Sequence, residues 1–282
     1  MPKLDPVELN RVIDAALTED LAGGDVTTDS LIPQHIEASA NFVPRSPGVI
    51  AGLDVARTVF ARVDSTLKFT PRLMDGDRVE GGETVAVVSG SLSSILRGER
   101  VALNFMQRMS GIASMTAKFV EAVSGTGAVI VDTRKTAPGL RTLDKVSVAA
   151  GGGRNHRRNL SDGVLIKDNH IAALQAEGMS LQQIIRRARA HAPHTVKIEV
   201  EVESLDEVPA AIEGGADIVM LDNMSTADMR TAVGLCKGKC LTEASGGVNL
   251  TTVRQIAETG VDMISVGALT HSVPALDIGL DF

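Results

Sequence analysis

Tryptophan and tyrosine are absent from this 282-residue sequence, and phenylalanine occurs only six times. So few rings leave no platform on which unpaired bases stack. Positive charge is also scarce overall. Against 28 Lys and Arg stand 35 Asp and Glu, a formal net charge of −7, which argues against a face that neutralises many nucleic-acid phosphates at once. No apolar run approaches the roughly 20 residues of a membrane-spanning helix. The opening MPKLDPVELNRVIDAAL sets acids inside a helical pattern instead of a basic and then apolar leader, so the expected location is the cytoplasm. The only cysteines, Cys236 and Cys240, read as reduced, partly buried thiols rather than a disulfide or half a metal site. Neither nucleic acid nor membrane is an expected partner.

The composition, 44% apolar and 22% charged, is that of a globular protein with room for one large α/β domain or two ordinary ones. Its charge is unevenly placed. From Arg134 to Lys167 eight cations (Arg134, Lys135, Arg141, Lys145, Arg154, Arg157, Arg158, Lys167) meet only Asp144 and Asp162. This local +6 leaves −13 for the remainder. Cations set beside the triple glycine Gly151, Gly152 and Gly153 suit a pocket where backbone and guanidinium groups approach a small polyanion.

Along the chain, an amphipathic helix is predicted from Val7 to Leu17. GDVTTDSLIP, ASANFVPRSPGVIAG and DSTLKFTPRL read as short strands broken by Pro and Gly. Asp75 to Gly90 reads as a plain hairpin. From Ser93 to Val123 the apolar spacing becomes helical, its methionines core filler, with Arg97, Arg100, Asn104 and Arg108 on a polar stripe. Beyond Gly127 six short apolar runs ending in polar residues alternate with helical patterns: AVIVDTRK, GVLIKDN, VKIEVEV, ADIVMLDN, KCLTEASGG and VDMISVGA. Such alternation predicts parallel β/α units and favours a barrel or partial barrel.

Barrel chemistry gathers at the C-terminal strand ends. There stand Arg134, Lys135, Lys167 with Asp168, Glu201, Asp222, Glu243 with Ser245, and Ser265 with Gly267. Period-two alternation along KIEVEV puts Lys197, Glu199 and Glu201 on the inner face, Glu201 nearest the mouth, with Lys197 and Glu199 expected to neutralise each other lower down. ASGGVNL and SVGALT occupy the last two β/α connections, where barrels bind phosphate; a helix is predicted from Leu250 to Glu258, capped by Asn249. Arg154, His156, Arg157 and Arg158 repel one another unless an anion resides among them. Glu201 and Asp222 serve as counter-charges suited also to Mg²⁺ or ribose hydroxyls. By residues alone the chain is a barrel enzyme for phosphorylated, carboxylated small molecules.

The strings EDLAGGDVTTDSLIP, RGERVALNFMQRMSGIAS, DTRKTAPGLR, GGGRNHRRNLSDGVLIKDNH, IEVEVES, DIVMLDN and EASGGV resemble the quinolinate phosphoribosyltransferase family over almost the whole length. The resemblance implies an α/β protein: an N-terminal α/β sandwich domain (1–112, rejoined by the tail 271–282) and an incomplete β/α barrel of about six parallel strands (113–270). It implies transfer of the phosphoribosyl group of 5-phosphoribosyl 1-pyrophosphate to quinolinate with decarboxylation, giving nicotinate mononucleotide with Mg²⁺ as cofactor. It also implies a homodimer, or a hexamer of such dimers, in which Arg100 reaches into the partner's barrel. Thr133, Arg134, Lys135, His156, Arg157 and Lys167 fall on the family's substrate-binding cations and their neighbour. Glu201 and Asp222 fall on its sugar- and metal-side carboxylates, and Ser245, Gly246, Gly247, Ser265, Val266, Gly267 and Ala268 on its phosphate loops. Lys135, Lys167, Glu201 and Asp222 form the expected catalytic set. Two rival readings use the same residues: a phosphoribosyltransferase for a related base or the molybdenum-transport-associated paralogue, and a non-catalytic metabolite-binding barrel.

Overall fold

The computed structural model describes residues 4–282. In chain order it begins α1 (Pro6–Leu21), α2 (Val26–Leu31), β1 (Glu37–Pro44), β2 (Gly48–Val49), α3 (Leu53–Val63), β3 (Lys68–Pro71), β4 (Arg78–Val79), β5 (Ala86–Ser91) and α4 (Leu92–Ala122). It continues β6 (Val129–Val131), α5 (Arg141–Ala150), β7 (Val164–Ile166), α6 (Asp168–Ala176), α7 (Leu181–His191), β8 (Ile198–Val202), α8 (Glu207–Gly214), β9 (Ile218–Asp222), α9 (Thr226–Cys236), β10 (Leu241–Ser245), α10 (Val253–Ala257), β11 (Met263–Ser265), α11 (Ala268–His271) and β12 (Ile278–Asp281). Two compact units result. One comprises the chain up to Ala117, Thr136–Gly152 and Leu269–Phe282; the other comprises Lys118–Lys135 and Gly153–Ala268. Among the described residues no helix is long and apolar enough to cross a membrane.

The first unit is built on an antiparallel sheet in the order β12-β1-β5-β3. β1 alternates so that Ala40 and Phe42 are wholly buried, and Phe42, Phe60 and Phe69 pack with ring centroids 5.6–6.1 Å apart. With Phe105, four of the chain's six phenylalanines thus sit in this one core. The C-terminal strand β12 pairs with β1, Asn41 opposite Asp281, and Arg45 grips the Asp281 carboxylate with two guanidinium nitrogens.

Two sequence expectations differ here. GDVTTDSLIP is a helix, α2, because the Asp25 carboxylate accepts the Thr28 N–H; that cap outweighs the strand preference of Val26, Thr27 and Thr28. Asp75 to Gly90 is not a hairpin. β4 pairs with β2, whereas β5 lies between β1 and β3. The turn at Gly81 and Gly82 folds against the β1 end, where the Gly82 N–H donates to the Pro44 carbonyl, and this separates the two strands.

The second unit holds six parallel strands in the order β6-β11-β10-β9-β8-β7, and they are the six apolar runs read from sequence. A closed barrel would pair β6 with β7. Instead the chain after the triple glycine comes alongside β6: the Arg154 N–H donates to the Ile130 carbonyl, and the Asp132 N–H to the Arg154 carbonyl. The barrel is therefore incomplete, and its seam is lined by the basic segment. Two glycines of the triple answer to packing and turn geometry within the first unit. A Cβ on Gly151 would collide with the Ala113 carbonyl, and Gly152 has φ +85°.

Candidate active site

The side chains that carry chemistry in the second unit arrive from successive strand ends. β8 is buried along its whole length, its polar residues Glu199 and Glu201 included. These acids alternate with Ile198, Val200 and Val202, which pack outward, so both carboxylates project into the barrel. Glu201 Oε2 lies 2.8 Å from Lys167 Nζ at the end of β7. The Lys167 main chain is held in turn, its N–H donating to His170 Nδ1 at 3.0 Å. Asp222 ends β9. Since Glu201 stands opposite Met220, Asp222, two residues on, shares its face one layer nearer the mouth.

After β6 come Thr133, Arg134 and Lys135, the Lys135 N–H turning back to Thr133 Oγ1. Arg134 Nε is buried and has no hydrogen-bond partner among the described residues. Arg157 is close enough to Arg134 for the two charges to interact. Burial first and Arg134 second lower the Arg157 pKa from its ordinary value. One Arg157 nitrogen donates to the Gly163 carbonyl at 3.2 Å. Two neighbouring guanidinium groups, one with a bare buried donor, form a receptor for an anion.

Sequence reasoning paired Glu199 with Lys197, but in the fold Glu199 pairs with His156. His156 Nε2 lies 3.1 Å from Glu199 Oε2 and 3.5 Å from Glu243 Oε2. The parallel strands place Glu199 and Glu243 either side of β9, so both reach one ring brought in from the seam. Burial opposes a charge on this imidazole, while Glu199 and Glu243 favour one strongly enough to push its pKa up to about 10. The Arg157 N–H opposes that charge as well, because it donates to Nδ1 at 2.8 Å and a protonated Nδ1 would meet it proton to proton. In the neutral ring this fixed main-chain donor sets the tautomer, with Nδ1 accepting and the proton on Nε2.

Asp132, wholly buried, escaped the sequence reading. Its carboxylate accepts the His156 N–H at 2.7 Å and Asn155 Nδ2 at 2.9 Å, tying the basic segment to β6. Its position next to the Thr-Arg-Lys run was the available signal.

The turn after β10 carries Ser245, Gly246 and Gly247. Gly246 and Gly247 have φ +88° and +60°, and a Cβ on Gly246 would overlap the Asn223 carboxamide. Asn223 itself has φ 53° and donates its N–H to the Ser245 carbonyl at 2.9 Å. α10 is shorter than expected and starts at Val253, because Asn249 Oδ1 takes the Thr251 and Thr252 N–H groups in a turn of its own. Ser265 ends β11 in a buried position, the Val266 N–H donates to the Val131 carbonyl, and Gly267 and Ala268 lead into α11. Arg100 lies in the first unit, exposed on α4.

Residues 25–110 match the family model of the quinolinate phosphoribosyl transferase N-terminal domain, and residues 112–281 that of its C-terminal domain. A Bacillus subtilis (strain 168) protein named probable nicotinate-nucleotide pyrophosphorylase (carboxylating) is 40% identical over 278 residues, covering 99% of this chain and 94% of its own. The Mycobacterium leprae (strain TN) nicotinate-nucleotide pyrophosphorylase (carboxylating) is 44% identical over 275 residues, 95% of each chain. The crystal structure of NadC from Streptococcus pyogenes superposes with a TM-score of 0.95 at 42% identity, over 100% of this chain and 98% of that one.

Proposed function

The chain belongs to the quinolinate phosphoribosyltransferase family, and we propose from that premise how its barrel mouth carries the reaction. The enzyme transfers the phosphoribosyl group of 5-phosphoribosyl 1-pyrophosphate to quinolinate. The ring nitrogen takes the place of pyrophosphate on the sugar, and carbon dioxide leaves to give nicotinate mononucleotide. Arg134, Arg157 and Lys167, with His156 beside them, grip the two ring carboxylates. Arg100 of a second subunit completes this grip in a homodimer, or in a hexamer of dimers. Lys135 and Thr133 attend the pyrophosphate. The turns Ser245 to Gly247 and Ser265 to Ala268 hold the 5-phosphate through their N–H groups.

The observation that carries this reading is the buried, unpartnered Arg134 Nε beside Arg157. Two cations brought together in a chain of net charge −7 need a guest with more than one negative charge. As pyrophosphate departs, positive charge develops on the ribose, and Glu201 and Asp222 face it with fixed carboxylates. Lys167, held by Glu201, is released toward the substrate carboxylate by a small shift. Loss of carbon dioxide from the carbon beside the quaternised ring nitrogen leaves the electron pair on that carbon as an ylide, stabilised by the adjacent positive charge. A proton from water then takes the place of the carboxylate, so no protein nucleophile is required.

The donor set of Glu201 and Asp222, two carboxylates on one barrel face, suits a hard cation that takes one or two carboxylates together with substrate phosphates. Magnesium held there would neutralise the leaving pyrophosphate.

The test compares turnover of quinolinate and nicotinate in the presence of phosphoribosyl pyrophosphate and Mg²⁺. Product from quinolinate with carbon dioxide release is expected. Equal or better turnover of the monocarboxylate would overturn the two-carboxylate grip.

A further inference from the structure

Glu243 sits mid-strand in β10 with 0% of its surface exposed, and neither of its carboxylate oxygens has a hydrogen-bond partner among the described residues. Glu199 Oε1 on β8 is in the same condition. Taking carboxylates out of water without donors costs stability, and packed apolar residues in their place are often neutral or stabilising. Groups that break the rules of a stable core mark function more often than folding.

Both acids face the same imidazole. A cavity of about 210 Å³ inside the barrel is lined by His156, Arg157, Asp162, Lys197, Glu199 and Glu243. Nε2 of His156 and the two carboxylates gather within 4.8 Å of one another, as the ligands of a cation do. The Arg157 N–H directed at Nδ1 assigns the ring proton to Nε2, however, and a protonated nitrogen does not ligate a metal. The cluster is therefore a charge network around the ring, with Glu199 Oε2 at 3.1 Å and Glu243 Oε2 at 3.5 Å from Nε2. Glu199 and Glu243, on strands separated by β9, hold Nε2 from two directions and fix the plane of the ring. Nδ1 in turn accepts the Arg157 main-chain N–H, while Asp132 holds the His156 N–H from the β6 side.

We infer that Glu199 and Glu243 are positioning residues that act through the His156 ring to place Arg157 opposite Arg134. This rests on the assignment of Arg157 to the substrate carboxylates made above. Two carboxylates facing Nε2 from different strands define a ring orientation that one would leave free to swivel. A carboxylate acceptor also holds the Nε2 proton more strongly than a neutral one. The pair brings negative charge beneath a mouth crowded with cations, which lets Arg134 and Arg157 stand close before substrate arrives.

Glu243→Gln keeps the volume and one acceptor oxygen but removes the charge. The full-length variant is expected to melt at the wild-type temperature or above it. Its KM for quinolinate is expected to rise about tenfold or more, the effect of losing one close charged contact behind the ring, with the KM for phosphoribosyl pyrophosphate unchanged. Glu243→Asp, which retains the charge, is expected to recover part of the quinolinate KM. Without any substrate, the ¹⁵N signals of the His156 ring and the Arg157 amide are expected to shift in Glu243→Gln. A wild-type protein inactive on quinolinate would sink the proposed function, and the substrate-free shifts would still decide this inference. Unshifted His156 and Arg157 signals would overturn it. So would an equal rise in both KM values alongside a lower melting temperature, which marks a merely structural role. Stoichiometric Zn²⁺ binding by the wild type that disappears in Glu243→Gln would overturn it in favour of a cation site.

Discussion

Lys167 Nζ meets Glu201 Oε2 at 2.8 Å, the lysine side chain 47% exposed and the glutamate 9%. Such a pair holds an exposed cation over the barrel by a carboxylate that cannot follow it outward. Lys167→Ala is expected to lower kcat/KM for quinolinate by about 10²-fold or more, the scale of losing one electrostatic contact to developing charge. Folding stability should fall by about 1–3 kcal/mol, because the buried Glu201 carboxylate is left without its partner. Steady-state kinetics beside urea unfolding separates the two effects.

Arg100→Ala and Lys167→Ala subunits, each inactive alone, are expected to regain part of the activity when mixed and allowed to exchange. A site completed across a homodimer gives one intact copy in the mixed dimer. No recovery despite confirmed exchange would rule out the shared site.

Within the first unit Arg108 holds Asp144 through two nitrogens at 2.9 and 2.8 Å, Asp144 being wholly buried and also accepting the Ala137 N–H. Arg108→Ala strands that charge. A loss of about 3 kcal/mol in unfolding free energy is expected, read from denaturant titration.

Acid should weaken the fold through Asp64. Hydrogen bonds from the Thr66 hydroxyl and main chain and from the Ser94 hydroxyl lower its pKa from the usual 3.8. A depressed carboxyl stabilises the native state above its unfolded pKa and loses that contribution as pH falls through the folded one. Between wild type and Asp64→Asn, the stability difference should be full above about pH 5 and shrink below pH 4. Thermal melts from pH 7 to pH 3 give the comparison; a constant difference would refute the linkage.

Gly246→Ala forces a side chain onto φ +88° and into the Asn223 carboxamide. It is expected to cost more than about 1 kcal/mol and to raise the KM for phosphoribosyl pyrophosphate more than that for quinolinate, since the turn is assigned to the 5-phosphate.

The six barrel strands were legible because a strand buried on both faces reads as an apolar run, and its polar exit residue marks the mouth. The places of Lys167, Glu201 and Asp222 near strand ends were read in this way. α2 was not legible as a helix: its β-branched residues speak for a strand, and only the Asp25 to Thr28 cap speaks against it. The separation of β4 from β5 hid in a turn whose partner, Pro44, lies far back in the chain. Neighbour logic within KIEVEV gave Glu199 to Lys197, but the fold gives it to His156, 43 positions away, through a strand order that no local pattern encodes. The orphaned oxygens of Glu243 were invisible for the same reason.

Where β6 and β7 fail to pair, the strip from Arg154 to Arg157 runs along the open edge of β6. Edging the vessel and arming it are then one event, since the peptide that lines the gap is the peptide that bears the gripping guanidinium. A dianion captured there should tighten the hoop, and the Arg154 and Asp132 amides would exchange their hydrogens more slowly as it fills.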